Sequence, residues 1–230
     1  LNKWVGGHPL DVGNEEEIRK LLTSILRENS KVVNATFIDR EGVMRYIEPT
    51  RYRKFENTDT RSQEHVAAML KNPAPTLSNG FTAVEGSFAV SIAHPAYDDK
   101  KAFAGSISLL VSTDLLMDSL VDLLMEHLMT SAGISPNHEF WVMQPDGMIL
   151  YDLNRKEIGR MLFSDPLYAK HESLLELGKK IASSPSGKGR YIFFDTTFNK
   201  KTIKHAAWGT VGLHDREWRV IVTYRSDGKR

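Results

Sequence analysis

A chain of 230 residues, 41% hydrophobic and 26% charged, has the make-up of a folded globular protein long enough for one large core or two ordinary domains. Its 30 Lys and Arg against 29 Asp and Glu leave a net charge of +1, and the basic residues are spread along the chain, which argues against nucleic acid as a main partner. The absence of cysteine excludes disulfides and thiolate metal sites, and no apolar run reaches membrane-spanning length.

Residues 1–12 are glycine-rich, contain Pro9 and predict irregular chain. The start at Leu1 carries no signal-peptide pattern and is consistent with a processed or excised fragment. Asn14 with Glu17 then gives a capping-box pattern, with Glu15, Glu16 and Glu17 in the first turn. Ile18, Leu21, Leu22, Ile25 and Leu26 supply the apolar face of a helix ending near Asn29. Val32 to Asp39 predicts a strand, a turn at Arg40-Glu41-Gly42 follows, and Val43 to Glu48 returns. Pro49 to Asn57 is a polar, aromatic loop, after which Thr60 and Gln63 mark the start of a short helix.

After a loop over Asn72 to Gly80, three strands follow: Phe81 to Val84, Ser87 to Ala93 and Phe103 to Val111. In the middle one, Phe88, Val90 and Ile92 alternate with Ser87, Ala89, Ser91 and Ala93. A face of small residues has two readings, close packing of a helix or the wall of a pocket.

Thr113 opens the stretch around which the chain is organised, a long amphipathic helix carrying Leu115, Leu116, Leu120, Leu123, Leu124 and Leu128, with Gly133 as its C-cap. Beyond it, Glu139 to Met143 and Met148 to Tyr151 form a second hairpin around Pro145-Asp146-Gly147. Asp165 with Pro166 starts a helix with a break near His171 that continues from Ser173 through Ala182. Tyr191 to Asp195, His205 to Val211 and Trp218 to Tyr224 finish as strands, with His214 and Asp215 at the last hairpin turn. Trp208 and Trp218 read as core or hairpin packing.

The order helix, two strands, helix, three strands therefore occurs twice, with Gly42 and Gly147 equivalent in the two turns. The fold class expected is α+β: two tandem modules, each a five-stranded antiparallel sheet with covering helices, linked by a helix. The divisions expected are an N-terminal segment and helix over 1–31, a first module over 32–112, a linking helix over 113–136 and a second module over 137–230.

Catalytic motifs are not found. There is no P-loop, dinucleotide fingerprint, His-Glu zinc-protease pair with its partner histidine, or G-x-S-x-G elbow. His65, His94, His127 and His138 show no zinc-ligand spacing, and no metal or other cofactor is expected. Gly187-Lys188-Gly189 is too short for a phosphate loop. The candidate ligand-binding residues are Tyr46, Arg51, Tyr52, Arg53, Glu85, Ser91 and His94. In this reading an arginine pairs bidentately with a ligand carboxylate, tyrosine hydroxyls fix its orientation, and Glu85 and His94 receive an amine or hydroxyl over the small Ser91 row. A solvated loop is the competing reading, and Asp59 has a structural one, closing its loop. Tyr151, Asp152 and Arg160 are the comparable second-module set, with an internal Asp152–Arg160 ion pair as the favoured reading.

The chain resembles the double Cache domain, the tandem PAS-like extracytoplasmic sensory region of microbial histidine kinases, chemoreceptors and cyclase regulators. The resemblance rests on the Val33-to-Gly42 strand and turn, Thr58-Asp59, the Phe88-to-Pro95 and Gly105-to-Leu110 strands, Pro145-Asp146-Gly147, Tyr151-Asp152, Glu157-Ile158-Gly159 and Trp218-Arg219-Val220. It covers about Asn14 to Tyr224. It implies a receptor rather than an enzyme, with a small metabolite in the membrane-distal first module and the signal passed through the second. It further implies a location outside the cytoplasmic membrane, a long stalk helix of which 15–27 is the end, an anchor beyond this fragment and a homodimer of the full-length receptor. The commonest amino-acid-binding version carries an Arg-x-Trp pattern before a tyrosine, where this chain has Arg51-Tyr52-Arg53. Amino acid as the ligand is therefore not carried over, and a carboxylate-bearing or zwitterionic metabolite is expected. A solute-binding protein that does not signal and a structural sensor module without ligand are the alternatives.

Overall fold

The computed structural model describes residues 3, 9–118, 138–195 and 200–225. These fall into two compact units, Leu1–Leu115 with Leu213–Arg216, and Leu116–Gly212 with Glu217–Arg230.

The first unit opens with α1 (Glu15–Glu28), started as its sequence dictates: the Asn14 side chain accepts the Glu17 N–H at 3.1 Å, and three glutamates occupy the first turn. Ile18, Leu22 and Ile25, spaced along one face, are wholly buried against Ala35, Phe37, Ile107 and Leu109. Burying such side chains stabilises by about 1.5–3 kcal/mol each. Strands β1 (Val32–Asp39) and β2 (Met44–Glu48) form the first hairpin. In its turn the Asp39 carboxylate accepts the N–H groups of Glu41 and Val43, and Gly42 takes φ +80.

Thr60 does not cap the next helix. Its hydroxyl donates to the Gly42 carbonyl at 2.8 Å, and α2 (Glu64–Lys71) begins after Gln63 with no side-chain cap. The loop expected over 72–80 contains a short strand β3 (Thr76–Leu77), followed by β4 (Phe81–Thr82), β5 (Phe88–Tyr97) and β6 (Phe103–Val111). The antiparallel sheet runs β2-β1-β6-β5-β3, with β4 also paired to β5, which adds a strand to the five expected.

A helix starts at 113 and is described to 118; the rest of the linking helix expected over 113–136, with Gly133, lies outside the described residues. Ser112 is nearer a capping role than Thr113. The Ser112 hydroxyl accepts the Leu115 N–H at 3.4 Å, while Thr113 Oγ1 is buried with no hydrogen-bond partner.

The second unit contains β7 (His138–Met143), β8 (Ile149–Asp152), α3 (Glu172–Ser183), β9 (Gly187–Asp195), β10 (Lys200–Leu213) and β11 (Arg216–Arg225). Its five-stranded sheet runs β8-β7-β11-β10-β9. The helix expected after Asp165 is only a 3-10 turn, Pro166–Tyr168, with Asp165 accepting the Leu167 N–H at 2.9 Å; the regular helix starts at Glu172. Leu177 and Ile181 of α3 pack on Met143, Ala206, Trp208 and Ile221. Trp208 donates from Nε1 to the Ser184 carbonyl at 3.0 Å, and buried Arg219 donates to the Ile181 and Ala182 carbonyls at the end of α3. Those carbonyls would otherwise be orphaned at a helix C-terminus.

Candidate functional site

Directly paired residues on neighbouring strands share a face. In the first sheet, Ala93 pairs with Ser108 and His94 with Ile107. Ile107 lies in the core under α1, so His94 is on the α1 face and Ser91 and Ser108 on the other.

On the Ser91 face the small row is largely filled. The Ser91 and Ser108 hydroxyls are 2.6 Å apart, and Ser91 N donates to the Ser78 hydroxyl at 2.8 Å. Asn34 donates to Glu85 at 2.7 Å and accepts from Thr36 at 3.2 Å. His65 of α2 and Phe81 cover this face with ring centroids 5.0 Å apart, and burial pushes the His65 imidazole down to about 4. The remaining void, with Asn34, Thr36, His65, Glu85, Ser91 and Ser108 among its lining, is about 30 Å³. A single ordered water needs roughly 10–15 Å³ of such space.

The other expected residues of this module are not gathered there. Tyr46 stacks on Phe37 at 6.3 Å and under Arg19 at 5.0 Å, and lines a separate cleft of about 400 Å³ with Arg45 and Phe103. Thr50–Phe55 is a 3-10 helix and not extended chain, so Arg51 and Arg53 do not alternate as in a strand. Arg51 is exposed and lies over the Tyr52 ring at 4.8 Å. Arg53 donates to the buried Glu48 carboxylate, which Arg19 also reaches at 3.2 Å. His94 Nδ1 meets the Pro95 carbonyl at 2.9 Å. Of the first-module set, Glu85 and Ser91 alone line the Ser91-side void. Asp59 pairs with Arg61 and accepts its N–H, which hold its carboxyl down to about 2.

The second sheet is different. Trp141 pairs with Asp152 and Ile221, Glu139 with Thr223, and Lys204 with Tyr191, so these residues share the α3 side. One end of that face is packed by Leu177 and Ile181. The other end, toward Glu139, Thr223, Lys204 and Phe193, is roofed by the chain around 153–157 and 167–171. There it leaves a cleft of about 630 Å³, within the roughly 300–1,000 Å³ typical of small-molecule sites.

The polar groups around the cleft are unequally satisfied. Glu139 receives the Lys204 ammonium, which also lies 4.5 Å over the Phe193 ring. Glu157 accepts from Tyr168 Oη at 2.9 Å and from Asn154 at 3.0 Å. Asp152 accepts the Asn154 N–H at 2.7 Å and has no ion-pair partner among the described residues. Burial, and then the nearby Glu157 and Glu139, push the Asp152 carboxyl up to about 6. Burial also raises the Tyr168 and Tyr191 hydroxyls, and the Glu157 hydrogen bond adds to the shift at Tyr168.

The expected Asp152–Arg160 pair is not formed. Arg160 donates to Asp165 at 2.7 Å and to the Lys156 carbonyl at 2.8 Å, and Asp152 lines the cleft. Tyr151, next along the strand, is buried and donates to Asp118 at 3.0 Å, where Arg155 also pairs. The cleft residues are spread over β7, β8, β9, β10, β11 and two loops and form no local motif.

The two modules, each an antiparallel sheet covered by helices and loops, make up a tandem PAS-like fold. Residues 12–113 match the family described as HK/GC/Chemotaxis protein-like, sensor domain. The fold is similar to an extracellular ligand binding receptor from Desulfohalobium retbaense, with a TM-score of 0.71 and 23% identity over 96% of this chain. This chain spans 34% of that receptor. It is also similar to the periplasmic sensory domain of a Campylobacter jejuni chemoreceptor, with TM-score 0.57, 12% identity, and coverage of 100% of this chain and 86% of that one. A third is the ligand binding domain of a Pseudomonas aeruginosa PAO1 amino acid chemoreceptor in complex with L-Gln, with TM-score 0.60, 14% identity and coverage of 94% and 77%. No curated protein sequence matches the chain.

Proposed function

We propose that this chain is the extracytoplasmic small-molecule-sensing domain of a membrane signal-transduction receptor of the histidine kinase or chemoreceptor type. The observation that carries the reading is the tandem fold, shared over nearly the whole chain with sensory domains of both receptor types. The first-module family match points the same way. Such a domain acts through differential affinity for two receptor arrangements, not through a chemical step. No group of three or more His, Cys, Asp or Glu side chains that could hold a metal ion occurs among the described residues.

The ligand class proposed is a small metabolite, carboxylate-bearing or zwitterionic. Three similar solved structures, two of them of one chemoreceptor domain, hold L-Gln, L-Arg or asparagine, each of which carries an α-carboxylate and an α-ammonium group, which supports this class. Recognition in the first module would use Glu85 and Ser91 with Asn34 and Ser108, and requires the void there to widen on binding. A role for Arg51 or Arg53 requires the 3-10 helix to release its present stacking and ion pair.

A thermal-shift screen of the domain against amino acids, carboxylates and amines tests the reading. At a ligand concentration of 100 times Kd, binding to the native state stabilises by about 2.7 kcal/mol. At least one compound should raise Tm in a dose-dependent way. A flat response across the library at millimolar concentration would count against ligand sensing.

A further inference from the structure

We propose that the cleft of the second module is a ligand site, and that it takes the protonated amino group of a small organic amine beside Asp152, with the apolar body of the amine against Trp141, Tyr191, Leu153 and Leu167. This rests on the sensing role above and deepens it, because it names a second place and a chemical class.

Space is the first argument. The cleft offers about 630 Å³, whereas the void on the Ser91 face of the first sheet offers about 30 Å³. The cleft also lies within a single module, over the end of a sheet that α3 leaves uncovered.

Charge is the second. Three carboxylates line the cleft, Glu139, Asp152 and Glu157, with Lys204 as the cation among its lining residues. Lys204 is committed to Glu139, and Glu157 is held by the Tyr168 hydroxyl and the Asn154 amide. Asp152 is left with one backbone N–H. Asp152 is half-buried with no ion pair of its own, and the carboxylates of Glu157 and Glu139 act on it beside the weaker opposing effect of Lys204, so the position favours a cation over a free carboxylate. An ammonium group gives it charge-assisted hydrogen bonds.

The third argument is the apolar rim. Leu153 and Leu167, on the two loops that roof the cleft, are 54% and 50% exposed, among the most exposed large apolar side chains described. Trp141 and Tyr191 form the floor. A ligand that is cationic at one end and apolar at the other covers both features, whereas a hydrated inorganic cation covers neither leucine.

The test uses the whole 230-residue domain at pH 7.5 and three probes of one shape: phenethylammonium, phenethyl alcohol and 3-phenylpropionate. Chemical-shift titration should show phenethylammonium perturbing the amides of Asp152, Asn154 and Lys204, with the alcohol and the carboxylate at least tenfold weaker. Asp152→Asn, which keeps the shape of the side chain, should lower phenethylammonium affinity at least tenfold. Leu167→Ser should lower it severalfold while leaving the preference for the amine. Near-ultraviolet circular dichroism checks that both variants are folded. Equal binding of all three probes, no loss in Asp152→Asn, or no binding of any probe to the second module would overturn the inference. If amides around Ser91 and Ser108 respond instead, the sensing role stands and the second-module site fails. If the metabolite screen is flat while phenethylammonium binds beside Asp152, the site stands and the sensing role fails.

Discussion

His65 makes the stability of the first module depend on pH with a definite sign. Its ring is buried on α2 against Phe81, and the cost of desolvating the imidazolium holds its folded pKa at about 4, against an ordinary 6.5. The neighbouring Glu64 opposes that shift only in part, because its carboxylate is turned to Arg216 and Asn79. Between pH 6.5 and 4 the unfolded chain therefore binds more protons than the folded one, and stability falls as pH falls. The full effect is present above pH 6.5. A difference of about 2.5 pH units corresponds to roughly 3 kcal/mol, most of it lost by pH 4. His65→Leu removes the titrating group while keeping an apolar side chain under Phe81. Urea denaturation of the two proteins from pH 7 to 4.5, followed through a first-module probe, should show the stability of the variant relative to wild type rising as pH drops. The wild-type protein loses about 2 kcal/mol more than the variant over that range. A parallel pH dependence of the two, or an NMR titration placing His65 near 6.5, would refute the reasoning.

Three further outcomes follow from named contacts. Asp152 has the opposite sign: its folded pKa of about 6 exceeds the ordinary value, so the folded state holds the extra proton between pH 4 and 6 and stability falls as pH rises through that window. Asp152→Asn should therefore stabilise the second module at pH 7 by up to about 3 kcal/mol and change little at pH 3.5, read by denaturation at both values. Gly147 sits at φ +96, and a Cβ there would lie 2.5 Å from the Phe163 ring, so Gly147→Ala should cost about 2–4 kcal/mol in calorimetric unfolding. Arg19 binds Glu48 and Glu56 from a largely buried position, whereas Arg53 is 41% exposed; Arg19→Met should cost about 3 kcal/mol and Arg53→Met under about 1 kcal/mol, compared by denaturant midpoints.

The modules were legible where the physics is local. Asn14 and Glu17 announce α1, the alternation through Ser91 announces β5, and Gly42 and Gly147 mark turns that need a positive φ. The reading was weaker where partners are set by tertiary structure. Nothing in Arg51-Tyr52-Arg53 distinguishes a 3-10 turn from an extended loop, and Glu48 as the partner of Arg53 appears only once β2 places its carboxylate inside. Arg160 lies close in sequence to both Asp152 and Asp165, and the fold gives it to Asp165. Thr76–Leu77 is too short to show strand periodicity and is a strand because β5 offers it an edge. The second-module cleft was illegible as a site because Glu139, Asp152, Glu157 and Lys204 come from three strands and a loop. The small row at Ser91 drew attention to the first module, yet that row is mostly closed by His65 and Phe81.

The most direct test of the sensing role separates a receptor domain from a binding protein that does not signal. The domain is spliced in place of the sensory domain of a membrane histidine kinase, and autophosphorylation is followed in vesicles with ligand supplied on the side away from the kinase. A compound that raises the Tm of the isolated domain should change kinase activity at concentrations near its Kd, and a variant that loses binding should lose the response. Tight binding with phosphorylation unchanged at saturation, in a hybrid whose kinase is active, would contradict it.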